Sequence, residues 1–151
     1  MKTRLFFFNC LILLIIAFPQ ISHSQETSLC EMIGKKTSTV ISKYGKPQHH
    51  DKSSPSAECI FYQKKNVRYA FIADKAGIYQ LQVDYSYNSE NEAYKAIDKF
   101  LSECGLKSLQ VDTVNNGDYK IRGSGLKMEL ILFQNTYAGK YEVKLKAEKT
   151  E

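Results

Sequence analysis

Two residue sets outside the N-terminal run could do chemistry: His49-His50-Asp51, and the cysteines Cys30, Cys59 and Cys104. The histidines could ligate a metal or sense pH. Adjacent side chains in extended chain point in different directions, however, so His49 and His50 rarely reach one ion together. Further ligands would have to come from Asp51 and Glu58. The plainer reading is a polar loop or short strand where one element hands over to the next. A nucleophile needs a positioned base beside it, but there is no G-x-S-x-G and no histidine after His50. Asp112 and Asp118 flank a turn, where acids are expected anyway. These residues predict no catalytic residues, no metal site and no cofactor. The protein is expected to be non-enzymatic.

The cysteines show no C-x-x-C spacing, which argues against a structural zinc site or a thioredoxin-like centre. In an oxidising compartment three cysteines give one disulfide and a leftover thiol, or no disulfide. Cys30 with Cys59 is the expected pair, since both fall in one half of the chain. Cys104, at a helix end on an apolar face, reads as a buried thiol.

That compartment is set by residues 1–24. Lys2 and Arg4 precede an apolar run from Leu5 to Phe18, with small residues at Ser22 and Ser24. This is the pattern of a secretory signal cleaved near Ser24-Gln25. The run is shorter than the roughly 20 residues a spanning helix needs, so no transmembrane segment is expected after cleavage. Cys10 and Cys30 are both misplaced for a lipoprotein anchor. The expected location is periplasmic or secreted. Losing Lys2 and Arg4 lowers the net charge from +5 by two, to +3. The remaining basic residues alternate with acids, which argues against a nucleic-acid partner.

Helical spacing runs through Leu29, Ile33, Thr37, Val40, Ile41 and Tyr44, ended by Gly45 and Pro47. It returns at Ala93, Ile97, Phe100, Leu101 and Cys104, followed by Gly105. Strand-rich runs fill the rest: 58–64 and 66–74 joined by Lys65-Asn66, then 77–87, and later 106–114, 118–123, 126–134 and 140–148. In 77–87, Tyr79, Leu81, Val83, Tyr85 and Tyr87 are expected on one face, with Gln80, Gln82, Asp84 and Ser86 on the other. A shift of 60 positions superposes Gly45 on Gly105, Phe71 on Ile131 and Val83 on Val143. The expected fold is α+β: two tandem helix-plus-antiparallel-sheet modules (α-β-β-β-β twice), residues 25–88 and 89–151, forming one compact unit with helices on one sheet face.

Gly34, Val40, Gly45, Pro47, Tyr62, Phe71 and Gly77 follow the order of a Gly-led helix, a G-x-P exit, an aromatic strand, an apolar strand, a Gly turn and a last strand. Over residues 32–83 this resembles the SmpA/OmlA-like module. A tandem pair of such modules resembles the β-lactamase-inhibitor-protein architecture. The resemblance implies binding without catalysis, in envelope assembly or inhibition. The chain departs from it in having no lipoprotein cysteine and no clear cysteine pair within each half.

Ten tyrosines and no tryptophan point to protein contact, because tyrosine joins large apolar area to a hydroxyl. Tyr62 and Tyr69, Tyr141 on the equivalent strand of the second half, and Tyr137 at a hairpin tip are the expected partner-binding residues, with Lys64 and Arg68 beside them. Core packing for the strand tyrosines, and solvated hairpin tips for the charges, are the plainer alternatives. The expected function is binding of another envelope or extracellular protein through a sheet face and hairpin loops. The alternative is a small-molecule or lipid binder using a helix–sheet pocket.

Overall fold

The computed structural model describes residues 29–150, with Leu106 described in its backbone only. The expected signal peptide and its cleavage point lie outside the described residues. Helix α1 (Thr37–Tyr44) is followed by strands β1 (His49–Asp51), β2 (Glu58–Lys64), β3 (Val67–Asp74) and β4 (Gly77–Tyr87). Helix α2 (Glu90–Leu106) is followed by β5 (Gln110–Asn115), β6 (Asp118–Gly123), β7 (Leu126–Asn135) and β8 (Lys140–Lys149).

The strands form one eight-stranded sheet in the order β1-β2-β3-β4-β8-β7-β6-β5, with every neighbouring pair antiparallel. The expectation of two tandem helix-plus-sheet modules is therefore corrected: the described residues make a single sheet with two helices. The physical reason is the pairing of β4 with β8 along Gln80–Tyr87. Both strands carry a fully apolar row (Leu81, Val83 and Tyr85 against Ala147, Leu145 and Val143), so neither is suited to a solvated edge. One ladder row, Ile60-Phe71-Leu81-Ala147-Met128-Ile121, crosses six strands and is at most 3 % exposed.

Helix α2 covers this face with Ala93, Ile97, Phe100 and Cys104, one stripe at helical spacing. Its start is capped by Ser89, whose hydroxyl accepts from the Glu92 N–H, while the Glu92 carboxylate accepts from the Asn88 N–H. Its end is not at Gly105, where the 60-residue shift puts it. The helix continues to a left-handed Ser108 (φ 57°), whose N–H reaches the Gly105 carbonyl while the Leu109 N–H reaches that of Cys104. This is a Schellman closure with serine in the position that usually takes glycine.

The expected helix from Leu29 to Tyr44 is broken as well. Leu29 and Cys30 are helical, but Gly34 turns left-handed (φ 82°) and its N–H donates to the Ile78 carbonyl at 2.6 Å. The Ile78 N–H returns a bond to the Lys35 carbonyl at 2.8 Å. Continued helix would have forfeited both bonds to β4.

Two face assignments are also corrected. Tyr79 is 38 % exposed and Ile78 buried, because the β3–β4 register slips between Ile72 and Ala73 and leaves Tyr79 as the extra residue. Ile131 is 40 % exposed although Phe71 is fully buried. Strand β7 buries Met128 and Leu130 instead, and a one-residue offset exchanges the faces of a strand.

Candidate functional site

The histidine cluster occupies β1, the three-residue edge strand paired to β2. His49 and His50 point to opposite faces. His49 sits against the Phe61 ring, with centroids 5.8 Å apart, whereas His50 Nε2 lies 2.7 Å from Glu58 Oε2. The Thr37 hydroxyl, at the start of α1, and then His50 hold the Glu58 carboxyl below its usual range. Asp51 turns away to accept the Ser53 N–H at 2.9 Å. Glu58 thus ties the edge strand and the N-terminus of α1 to β2, an end that lacks a side-chain cap of its own. Among the described residues no group of three His, Cys, Asp or Glu side chains could hold a metal ion.

Cys30, Cys59 and Cys104 are free thiols, which corrects the expected Cys30–Cys59 disulfide. Cys59 alternates with the buried Ile60 and so faces the uncovered side of β2, whereas Cys30 is buried under the other face, 3.5 Å from the Met128 sulfur. The sheet separates the two. Burial pushes the Cys30 thiol up to about 12 and Cys104 up to about 11, so both are poor nucleophiles near neutral pH.

The tyrosines divide. Tyr62 is 5 % exposed, donates its hydroxyl to the Gly45 carbonyl at 2.9 Å, and packs edge-on against Phe71. Tyr69 stacks on Tyr44 at 6.4 Å under α1. Tyr141 is half-buried against the core. These three lie on the covered face, opposite to where a partner-binding role would need them, because they alternate in phase with Ile60, Phe71 and Val143. Lys64 lies over the Tyr44 ring at 5.9 Å. Tyr137, by contrast, is fully exposed at the tip between β7 and β8. Arg68 stands on the uncovered face, 3.3 Å from Asp84.

Arg68 opens onto a concavity of about 720 Å³ at the hairpin end of the uncovered sheet face. Its floor is the ladder row Gln63-Arg68-Asp84, beside the paired Ser86 and Glu142. Its walls are turn residues: Lys65 and Asn66 from the β2–β3 tip, Asn88 from the β4–α2 junction, and Asn135 and Lys140 from the base of the β7–β8 hairpin. Four of these five side chains, all but Lys65, are held by hydrogen bonds. Asn66 donates to the Ser86 carbonyl at 2.9 Å, and its own carbonyl accepts the Ser86 N–H at 2.8 Å. Asn135 donates to Glu142 at 2.7 Å and accepts the Ala138 N–H, while Lys140 donates to Asn88. Both carboxylates already have partners, so neither is poised as a free base. The groove offers amide, ammonium and guanidinium groups in fixed positions, which suits polar recognition rather than proton transfer.

Of the expected partner residues, the structure brings Arg68 into this groove and Tyr137 to the neighbouring tip. Gln63, Asn66, Asn88, Asn135, Lys140 and Glu142 were missed. Asp84 and Ser86 were legible as members of the polar face of 77–87. The asparagines carried only a turn signal. Among the described residues no helix is long and apolar enough to cross a membrane. No family model matches this chain, and no curated protein or solved structure is significantly similar to it.

Proposed function

We propose that the protein binds another protein, without catalysis, by seating a polar segment of it in the groove between the β2–β3 and β7–β8 hairpins. The observation that carries this reading is the groove itself: an uncovered floor of sheet side chains walled by three turns, with the fully exposed Tyr137 at the neighbouring tip. Tyrosine and arginine are residue types enriched among interface anchors. Binding residues also concentrate on loops held by a rigid scaffold. The resemblance of residues 32–83 to a module that binds without catalysis supports the same reading, as does the signal-like N-terminus, which directs the search to envelope or extracellular partners.

The test is photo-crosslinking from a probe placed at Tyr137 in the native envelope, with the captured protein identified by mass spectrometry. A specific partner whose capture is lost in Arg68→Glu and Lys140→Glu, but kept in Lys99→Glu on the exposed face of α2, supports the groove. Capture that is indifferent to Arg68 and Lys140 overturns it.

A further inference from the structure

A second cavity, of about 300 Å³, lies on the other side of the sheet, between the 29–34 turns, the C-terminal end of α2 and the β6–β7 hairpin. Its walls are apolar: Ile33 on one side, Phe100 and Leu109 from α2 and its exit, and Leu126 and Met128 from β7. Two charged side chains stand among the lining residues, Glu31 and Lys107, 61 % and 43 % exposed and paired with each other at 3.2 Å. They mark the mouth, together with the neutral Ser124. A volume near the lower end of the range for small-molecule sites admits one slender guest. Its apolar walls can bury an alkyl chain that enters through the open side.

The charge at the mouth selects the head group. The ammonium and carboxylate already neutralise each other, so a carboxylate-headed guest gains Lys107 only by meeting Glu31, and an amine-headed guest faces the reverse. A hydroxyl can join the pair as donor and acceptor without displacing either charge. We propose that this cavity binds a single alkyl chain carrying a neutral hydroxyl head. The site is independent of the groove on the opposite face, so either can fail without the other.

The experiment is calorimetric titration of the purified protein with butan-1-ol, hexan-1-ol and octan-1-ol, and with octanoate and octylamine. Each added methylene is worth about 0.8 kcal/mol on burial. Octan-1-ol should therefore bind about 15-fold more tightly than hexan-1-ol, and more tightly than either charged eight-carbon compound. Leu126→Trp and Ile33→Trp fill the cavity from opposite walls and should abolish binding, with the native circular dichroism spectrum retained. In the unaltered protein, octan-1-ol should shift the NMR signals of the Met128 methyl and Phe100 ring. No saturable binding, shifts confined to other residues, or binding that survives both tryptophan variants overturns the site. Octanoate binding as tightly as octan-1-ol overturns the head-group assignment.

Discussion

Nε2 of His50 donates to Oε2 of Glu58 across 2.7 Å, joining the edge strand β1 to β2 beside the ladder rather than within it. The Thr37 hydroxyl and His50 both favour the ionised carboxyl and lower its pKa. A carboxyl lowered on folding adds stability that is fully present above its unfolded value of about 4.3 and fades as pH falls through the folded value. The site is partly solvated, so the effect is about 1 kcal/mol or less. Glu58→Gln should lower the melting temperature by a few degrees at pH 7 and by almost nothing near pH 2. Thermal unfolding followed by circular dichroism at the two pH values measures this. Equal losses at both would mean the carboxylate charge plays no part.

Gly77 holds the crossing between the 34–35 turn and the start of β4. A Cβ there would sit 2.9 Å from the Lys35 carbonyl oxygen and 3.0 Å from that of Gly34, on a backbone with φ at 128°. Both neighbours are main chain fixed by bonds to Ile78, so neither can rotate away. Gly77→Ala should cost about 3 kcal/mol or more, combining strain and contact. Gly125→Ala provides the control: its φ is 74°, but the added methyl meets open space, so only conformational strain of about 1 kcal/mol applies. Urea denaturation of the two variants should differ by about 2 kcal/mol. Equal costs would remove the steric part of the argument.

The strands were readable in the sequence because their signals are local. Strands 58–64, 77–87 and 118–123 coincide with β2, β4 and β6, since alternation and the turn residues beside them act over neighbouring positions. What failed was set at a distance. Nothing near Tyr79 announces that β3 will slip a residue against β4 and turn that ring outward. Ile131 and Phe71 look equivalent under the 60-residue shift, yet β7 is phased by its pairing with β8 and not by its resemblance to β3. Gly105 looks like a helix end, but Ser108 supplies the left-handed turn once Leu109 can close back on Cys104. The groove follows the same division: Asp84 and Ser86 were visible as one polar face, whereas Asn88, Asn135 and Lys140 meet them only after β4 pairs with β8.

The thiols offer a direct check on the sheet as a partition. Burial raises all three thiols, but Cys30 and Cys104 are buried whereas Cys59 lies half-buried, and so accessible, on the uncovered face. Iodoacetamide at pH 8 should alkylate Cys59 first and leave the other two intact until the chain unfolds. In denaturant without reductant all three should react. Peptide mapping by mass spectrometry reads both outcomes, and a Cys30–Cys59 linked peptide would contradict the placement of the two residues on opposite faces.

Tyr44 and Tyr62 lie side by side over Phe71, with ring centroids 6.0 Å apart, yet their hydroxyls are placed differently. The Tyr62 hydroxyl donates to the Gly45 carbonyl at the end of α1. The Tyr44 hydroxyl is buried and makes no hydrogen bond among the described residues, and its burial, with Tyr69 nearby, pushes its pKa up to about 12. A buried hydroxyl without a partner costs free energy, whereas a satisfied one contributes about 1 kcal/mol. Tyr62→Phe should therefore lower stability by about 1 kcal/mol, and Tyr44→Phe should leave it unchanged or raise it. The first change should also release the C-cap of α1, visible as faster amide exchange at Gly45, whose N–H bonds to the Ile41 carbonyl. Equal destabilisation by the two substitutions would mean that the Tyr44 hydroxyl also contributes to stability, against its unpaired placement.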